Sequence, residues 1–156
     1  MMVFFSTMIA CCGGDDHGNY TGKGANWIYL GKTITAETYY DKNSIKEEDQ
    51  NIIRIWIKAI YSEDGKKEKF SFLKRINKAP FSADTLSYEL VLFEIDCLNN
   101  KARMYTGQAY DDKGEILVSA PKSFGEWGNI SPDSQIAALR NTVCSEGRIP
   151  DTKKPY

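Results

Sequence analysis

The sequence predicts a single α+β domain in which an antiparallel β-sheet of about six strands, arranged as a meander, is packed by a C-terminal α-helix. Three observations indicate this fold class. The chain has 156 residues, which is the length of one ordinary domain. Apolar and polar residues alternate with a period of two in several runs between residues 27 and 120. A later segment has the residue spacing and the start signal of an amphipathic helix.

Charge and composition exclude several classes of function. The 20 basic and 21 acidic side chains give a net charge of -1, so the chain lacks the basic field that binding to nucleic acid requires. The single histidine, His17, lies in a stretch rich in Gly and Asp. Ser-His and Cys-His catalysis and most zinc sites therefore lack their usual residue. We expect no catalytic centre, no metal site and no cofactor.

The first ten residues have the character of a signal segment, since an apolar run changes at Cys11 into a polar stretch. Met8-Ile9-Ala10-Cys11 resembles the lipobox of bacterial lipoproteins, in which the cysteine is acylated and becomes the N-terminus. We therefore predict that Cys11 is lipidated and that residues 11–25 form a flexible tether. The alternative is an apolar N-terminus that packs on the domain. A metal site at Asp15, Asp16 and His17 is not expected, because the tract offers no partner sulfur or second imidazole.

The first half of the domain is predicted to be mostly β-strand. Two runs rich in β-forming residues, 27–30 and 33–40, flank Gly31 and Lys32. Residues 51–61 alternate strictly, and we expect the face of the sheet that carries Arg54 and Lys58 to be largely open to water. The intervening polar segment 42–50 is predicted to be a long turn, and residues 62–65 a second turn.

Residues 66–83 contain the only local cluster of basic side chains. The segment is either a short helix that ends before Pro80 or a bent edge strand, and the pattern favours the helix. Its six cations form either a solvated face or a binding patch for a protein ligand. These cations are Lys66, Lys67, Lys69, Lys74, Arg75 and Lys78.

The second half of the domain is predicted to contain three strands and the helix. Strands at 86–98, 102–110 and 115–120 complete the meander, the last two joined by a turn at 111–114. Glu94 and Asp96 share a strand face and could mimic a catalytic carboxylate pair. At the solvent end of a strand, we expect both to be structural.

The C-terminal helix is predicted to start at Ser131, with Pro132 in its first turn, and to stop at Gly147. Its inward positions are apolar apart from Arg140. Residues 148–156 form a tail.

The cysteines indicate one cross-link. With Cys11 lipidated, Cys97 on the inward strand face and Cys144 near the end of the helix are the natural pair. The disulfide would close a loop of about 48 residues, which the chain-entropy model values at about 4 kcal/mol. Such a bond persists in an exported, oxidising compartment. Two buried free thiols are the alternative.

The features of the domain together resemble the surface-adhesin protein E family of bacterial envelope lipoproteins. The resemblance extends from Trp27 to Cys144 and implies an antiparallel sheet with a C-terminal helix, a Cys97–Cys144 disulfide and a non-enzymatic surface protein. The best-studied relative in that family binds host matrix and serum proteins, so the resemblance implies a binding role. The residues that carry the resemblance are Trp27, Tyr40-Asp41, the strand from Ile53 to Ala59 with Trp56, Asp96-Cys97, Arg103, the turn from Tyr110 to Gly114, Trp127, the run from Ile130 to Ser134 and Val143-Cys144.

Two functions of different class follow as hypotheses. The first is a non-catalytic protein of the bacterial outer membrane or periplasm, held by a lipid anchor, whose domain at 26–147 binds a protein ligand. The alternative is an accessory subunit of a periplasmic or outer-membrane assembly, which would show one continuous apolar patch around Trp127 or the free edge of the first strand. A third, less favoured hypothesis is an enzyme that uses carboxylates.

Overall fold

The computed structural model describes residues 20–79 and 82–146. In these residues the chain forms two α-helices, α1 (Glu63–Arg75) and α2 (Gln135–Glu146), and eight strands. The strands are β1 (Trp27–Lys32), β2 (Ala36–Asp41), β3 (Lys46–Asp49), β4 (Ile52–Tyr61), β5 (Tyr88–Asp96), β6 (Lys101–Tyr110), β7 (Ile116–Ala120) and β8 (Gly128–Asn129).

All strand pairs are antiparallel, and the predicted α+β class is confirmed. The main sheet has the order β1-β2-β4-β5-β6-β7, with β3 paired to β4 and β8 paired to β6. The six strands of the main path are the meander that the alternation predicts. β3 and β8 are additions that the sequence pattern did not indicate.

Both helices lie on one face of the sheet, which we call the helix face. Ile53, Ile55 and Ile57 of β4 point to this face and pack with Leu139 and Val143 of α2 in the main core cluster. α1 covers another part of the same face, where its Leu73 packs with Leu86 and Ala109.

The disulfide between Cys97 and Cys144 links the end of β5 to α2. The two sulfur atoms lie 2.00 Å apart and the Cα atoms 5.7 Å apart. Beside it, the guanidinium of Arg140 donates a hydrogen bond to the backbone oxygen of Cys97 at 2.9 Å. This contact explains the one charged residue at an inward position of the helix.

The opposite, helix-free face is not largely open to water, so that expectation was wrong. Trp56 is only 5% exposed and clusters with Leu90, Leu92 and Tyr110. The ring of Tyr20, at the start of the described chain, stacks on Trp56 with its centroid 4.3 Å away. Aromatic and long side chains therefore shield this face without a second layer of secondary structure.

The predicted long turn at 42–50 was also wrong. After a short 3₁₀ turn at Lys42–Ser44, β3 pairs with the first residues of β4, with Lys46 opposite Arg54. β2 pairs only with the other half of the same β4 edge, from Ile57 to Tyr61. β3 therefore occupies an edge that would otherwise be unpaired, and its polar side chains stay mostly exposed.

Helix α1 confirms the preferred interpretation of residues 66–83 but begins earlier, within the predicted turn at 62–65. Ser62 is the N-cap: its hydroxyl accepts from the Gly65 amide at 3.1 Å and donates to the Ile34 carbonyl at 2.6 Å. Only glycine fits at position 65, because an added Cβ would lie 1.9 Å from the Thr35 oxygen. The helix ends at Arg75, before Asn77 with its φ of 55°.

Helix α2 starts at Gln135, four residues later than the predicted Ser131. The Ser134 hydroxyl accepts from the Ala137 amide at 3.1 Å and so caps the helix. The same hydroxyl donates to the Ser131 oxygen at 2.7 Å, which closes a turn over Ser131 to Ser134. The residues of the predicted start signal therefore form this turn instead of the first turn of the helix. The predicted stop at Gly147, the tail and Pro80 lie outside the described residues.

Candidate binding site

The six predicted patch cations all lie on or just after α1, but they differ in their partners. Lys66 forms an ion pair with Glu63 at 2.8 Å, and Lys69 forms one with Glu89 of β5. The other four form no ion pair with any residue of the described part of the chain and are exposed: Lys67, Lys74, Arg75 and Lys78. The patch is therefore reduced to four cations that form no ion pair in the described residues, one of which, Arg75, lies 5.9 Å from the centroid of the Phe72 ring.

The same helix carries an apolar side. Leu73 is buried in the core, whereas Phe72 and Ile76 are 37% and 40% exposed. Exposed apolar side chains that lie one turn apart on a helix form a contiguous patch, and such patches mark binding surfaces. Phe124, in the loop after β7, is 48% exposed and lies near the same place.

Two adjoining clefts lie along α1. The first has a volume of about 100 Å³ and lies between α1 and strands β5 to β7. The second, of about 380 Å³, lies between α1 and the strands toward β2. Both are lined by Lys69, Phe72, Glu89 and Met104, so we treat them as one surface, the α1 groove.

The α1 groove is apolar where it is deepest and charged at its rim. Val91, Ala109 and Val118 line the first cleft together with Phe72 and Ile76. Lys78 lies at the rim of the first cleft and Arg75 at the rim of the second. This arrangement provides contact area for large apolar side chains and favours acidic groups next to them.

The ionisable groups inside the groove include an ion pair and a buried phenol. Lys69 and Glu89 neutralise each other. Burial, assisted by the charge of Glu89, raises the pKa of Tyr61 far above its usual range, so the phenol stays protonated.

The helix-free face is a second surface with a distinct composition. Trp27, Trp56 and Trp127 all belong to it, and the chain contains three tryptophans. Lys58 lies between two of its rings, with Nζ 5.9 Å from the Trp27 centroid and 4.8 Å from the Tyr88 centroid. Arg103 stacks on Trp127 at 4.8 Å.

A comparison with family models identifies the family to which this chain belongs. The family model described as surface-adhesin protein E matches residues 27–145 of this chain. The chain belongs to this family. Among curated proteins, no sequence matches the chain.

Two solved structures are similar to this adhesin E domain. One, the structure of Haemophilus influenzae protein E, has 15% sequence identity and a TM-score of 0.50, with 77% of this chain and 84% of that chain covered. The other, crystal form II of the same protein, has 14% identity and a TM-score of 0.49, with 77% and 87% covered. At this identity, the first likeness supports the fold alone.

The two carboxylates considered as a pair have separate structural roles in this adhesin E domain. Glu94 is not at a solvent end: it is 3% exposed and accepts from Nε of Arg54 at 2.8 Å and from Nε of Arg103 at 2.5 Å. Asp96 accepts from the amides of Leu98 and Asn99 at 3.0 and 2.9 Å. These hydrogen bonds, that of the Asn99 side chain above all, lower the pKa of Asp96.

The remaining predicted sites have different outcomes. Cys11 and the segment from Asp15 to His17 lie outside the described residues of this adhesin E chain. In residues 20–79 and 82–146, no group of three potential metal ligands occurs, and neither helix is long and apolar enough to cross a bilayer.

The two alternative places for an apolar patch, around Trp127 or at the edge of β1, lie in different parts of the sheet in this adhesin E domain. Trp127 lies beside β8, which pairs with β6, whereas β1 forms the opposite edge of the sheet. The aromatic face itself was not predicted from the sequence. The strand alternation could have revealed this face, because five aromatic residues occupy strand positions on the same face of the sheet. These residues are Trp27, Tyr39, Trp56, Tyr88 and Tyr110.

Proposed function

We propose that this protein is a lipid-anchored, non-catalytic envelope protein that binds a protein ligand through the α1 groove. The observation that carries the proposal is the combination of exposed Phe72 and Ile76 with four exposed cations on and beside one helix. Membership of a surface-adhesin family supports a location in the cell envelope and a binding role.

The chemistry of the groove defines the ligand. A segment with one or two large apolar side chains would bury Phe72 and Ile76, and acidic residues beside them would face Lys74 and Arg75. The apolar contacts would supply most of the affinity, whereas the exposed charges would mainly increase the association rate and make it sensitive to salt.

Lipidation of Cys11 and a location at the outer membrane or in the periplasm remain part of the proposal. The Cys97–Cys144 disulfide supports an oxidising compartment. A non-catalytic role is supported by the engagement of Glu94 with two arginines and of Asp96 with a turn, which leaves neither carboxylate in a cleft.

Site-specific photo-crosslinking on intact cells tests the binding site. A benzophenone amino acid at position 72 should trap a discrete protein, and the same group at position 98, an exposed site on the β5–β6 turn, should not. Lys74→Gln with Arg75→Gln should weaken the cross-link from position 72. The matched control, Lys113→Gln with Lys122→Gln, removes the same charge from exposed sites away from α1 and should leave it unchanged. Equal trapping from positions 72 and 98 contradicts the proposal.

The accessory-subunit hypothesis is favoured by one observation. β1 forms an edge of the sheet, and Tyr29 and Ile34 beside that edge are exposed. A benzophenone group at position 34 would trap an envelope subunit if this edge were an assembly surface. Trapping at 34 together with none at 72 would favour this second function.

A further inference from the structure

The helix-free face carries a second feature besides its tryptophans: the chain enters the domain there. Tyr20 stacks on Trp56, and its hydroxyl donates a hydrogen bond to Asp41 at 2.5 Å. The backbone oxygen of Tyr20 lies 3.5 Å from the Tyr110 hydroxyl. Trp56 belongs to β4, which has β2 and β1 on one side and β5 to β7 on the other. Tyr20, the first residue that the structure describes, therefore lies over the middle of this face.

We propose that the helix-free face is the membrane-facing side of the anchored protein, where it contacts the phospholipid headgroup layer. The α1 groove, on the helix face, then points away from the membrane. This inference rests on the proposed lipidation of Cys11.

The length of the intervening chain limits the orientation. Tyr20 lies nine positions after Cys11, so even a fully extended chain places the two at most about 30 Å apart. A path from the middle of the sheet, past two strands about 5 Å apart and around a helix layer about 10 Å thick, is at least about 20 Å long. This path is longer than the average span of about 17 Å for nine flexible residues. The helix face can therefore reach the membrane only with the segment extended beyond its average span, whereas the helix-free face reaches it without extension.

The side chains of the helix-free face suit a headgroup layer. Tryptophan and tyrosine prefer the membrane interface because the ring is apolar and its polar group can stay hydrated. Trp127 and Tyr29 are exposed on this face, and Lys58 lies against its rings, where its ammonium group can meet phosphate groups. The entry point of the chain and the chemistry of the face therefore both indicate that this face contacts phospholipid.

A depth-dependent fluorescence experiment tests the orientation. Full-length protein with Cys12→Ser would be purified from the membrane fraction and placed in vesicles of phosphatidylethanolamine and phosphatidylglycerol. Two matched variants, Tyr29→Cys and Phe72→Cys, would each carry the same environment-sensitive label, one on the helix-free face and one in the α1 groove. We expect brominated phospholipids to quench the label at position 29 and the intrinsic tryptophan fluorescence, with no quenching of the label at position 72.

The other outcomes overturn the inference in distinguishable ways. If intact mass shows no lipid on Cys11, the anchor fails and the orientation fails with it. If Cys11 carries lipid but the label at 72 is quenched as strongly as the label at 29, only the orientation is wrong. If Cys11 carries lipid and neither label is quenched, the domain stands away from the bilayer and the proposed headgroup contact does not exist.

Discussion

The two faces of the sheet bury their central side chains by different means. On the helix face, α2 covers the isoleucines of β4 and a disulfide holds the helix in place. On the helix-free face, rings and the stems of basic side chains cover one another, and Glu94 holds Arg54 and Arg103 together. In the described residues, amphipathic side chains alone cover one face of the sheet. No secondary structure lies over these side chains there, so they are available for contacts with a polar interface.

Removal of the disulfide is the strongest test of the helix face. Cys97→Ser with Cys144→Ser should lower the free energy of unfolding by about 4 kcal/mol, because a loop across 47 positions is no longer closed in the unfolded chain. Chemical denaturation measures the loss. Reduction of the unmodified protein should give a similar loss, and a change below about 1 kcal/mol would show that packing alone holds α2.

The corresponding test on the helix-free face is Glu94→Gln. The substitution leaves two largely buried guanidinium groups without their shared carboxylate, so we expect a loss of about 3 kcal/mol in the free energy of unfolding. Glu115→Gln, at an exposed position, should change it by less than about 0.5 kcal/mol. If both substitutions have the same small effect, the aromatic cluster stabilises this face without the ion pairs of Glu94.

Substitutions of two adjacent residues of α1 should have different effects on stability and on ligand binding. Leu73→Ala removes a buried side chain and should cost about 2 to 3 kcal/mol, measured by denaturation. Phe72→Ser removes a partly exposed ring and should cost about 1 kcal/mol or less while it weakens ligand binding. A larger stability loss for Phe72→Ser than for Leu73→Ala would make the groove a part of the core instead of a binding surface.

The smallest effect concerns Tyr20 and pH. Burial, together with the Asp41 carboxylate, raises the pKa of Tyr20, so the folded protein keeps a proton that the unfolded chain releases near pH 10. The resulting stability is present below about pH 10 and is lost as the pH rises above that value. Tyr20→Phe should therefore reduce the alkaline dependence of unfolding and, through loss of the hydrogen bond, cost about 1 kcal/mol at neutral pH. Unfolding followed by tryptophan fluorescence between pH 7 and 11 measures the alkaline dependence and the loss of stability at neutral pH. If Tyr20→Phe leaves the dependence of stability on alkaline pH unchanged, the buried Tyr20 hydroxyl does not cause it.

Local patterns were sufficient to predict the meander and the helices, because the alternation in β4 and the spacing in α2 are properties of single segments. The disulfide followed because Cys97 shares a face with the β5 residues that α2 covers. Glu94 illustrates the limit of such reasoning. Its partners Arg54 and Arg103 lie on two other strands, and only the register places all three side by side.

The features that were not predicted depend on distant neighbours. Residues 46–49 are polar and form a strand only because β4 has a free edge there. The α1 groove combines α1 with residues of β5, β6 and β7 and with Phe124, which no single segment reveals. The start of α2 moved to Gln135 because a turn closed by local hydrogen bonds replaced the expected first helical turn.

The close approach of Gly65 to Thr35 determines how a ligand could be recognised. Ser62 is bonded to the β1–β2 turn through its side chain and its backbone amide, at 2.6 Å to Ile34 and 2.9 Å to Thr35, and Gly65 rests against the same turn. The start of α1 therefore cannot shift without breaking these contacts, so the end of the groove that Gly65 and Thr35 line is formed before the proposed ligand arrives. A preformed site requires little ordering on association, which favours rapid rigid-body docking over slow induced fit.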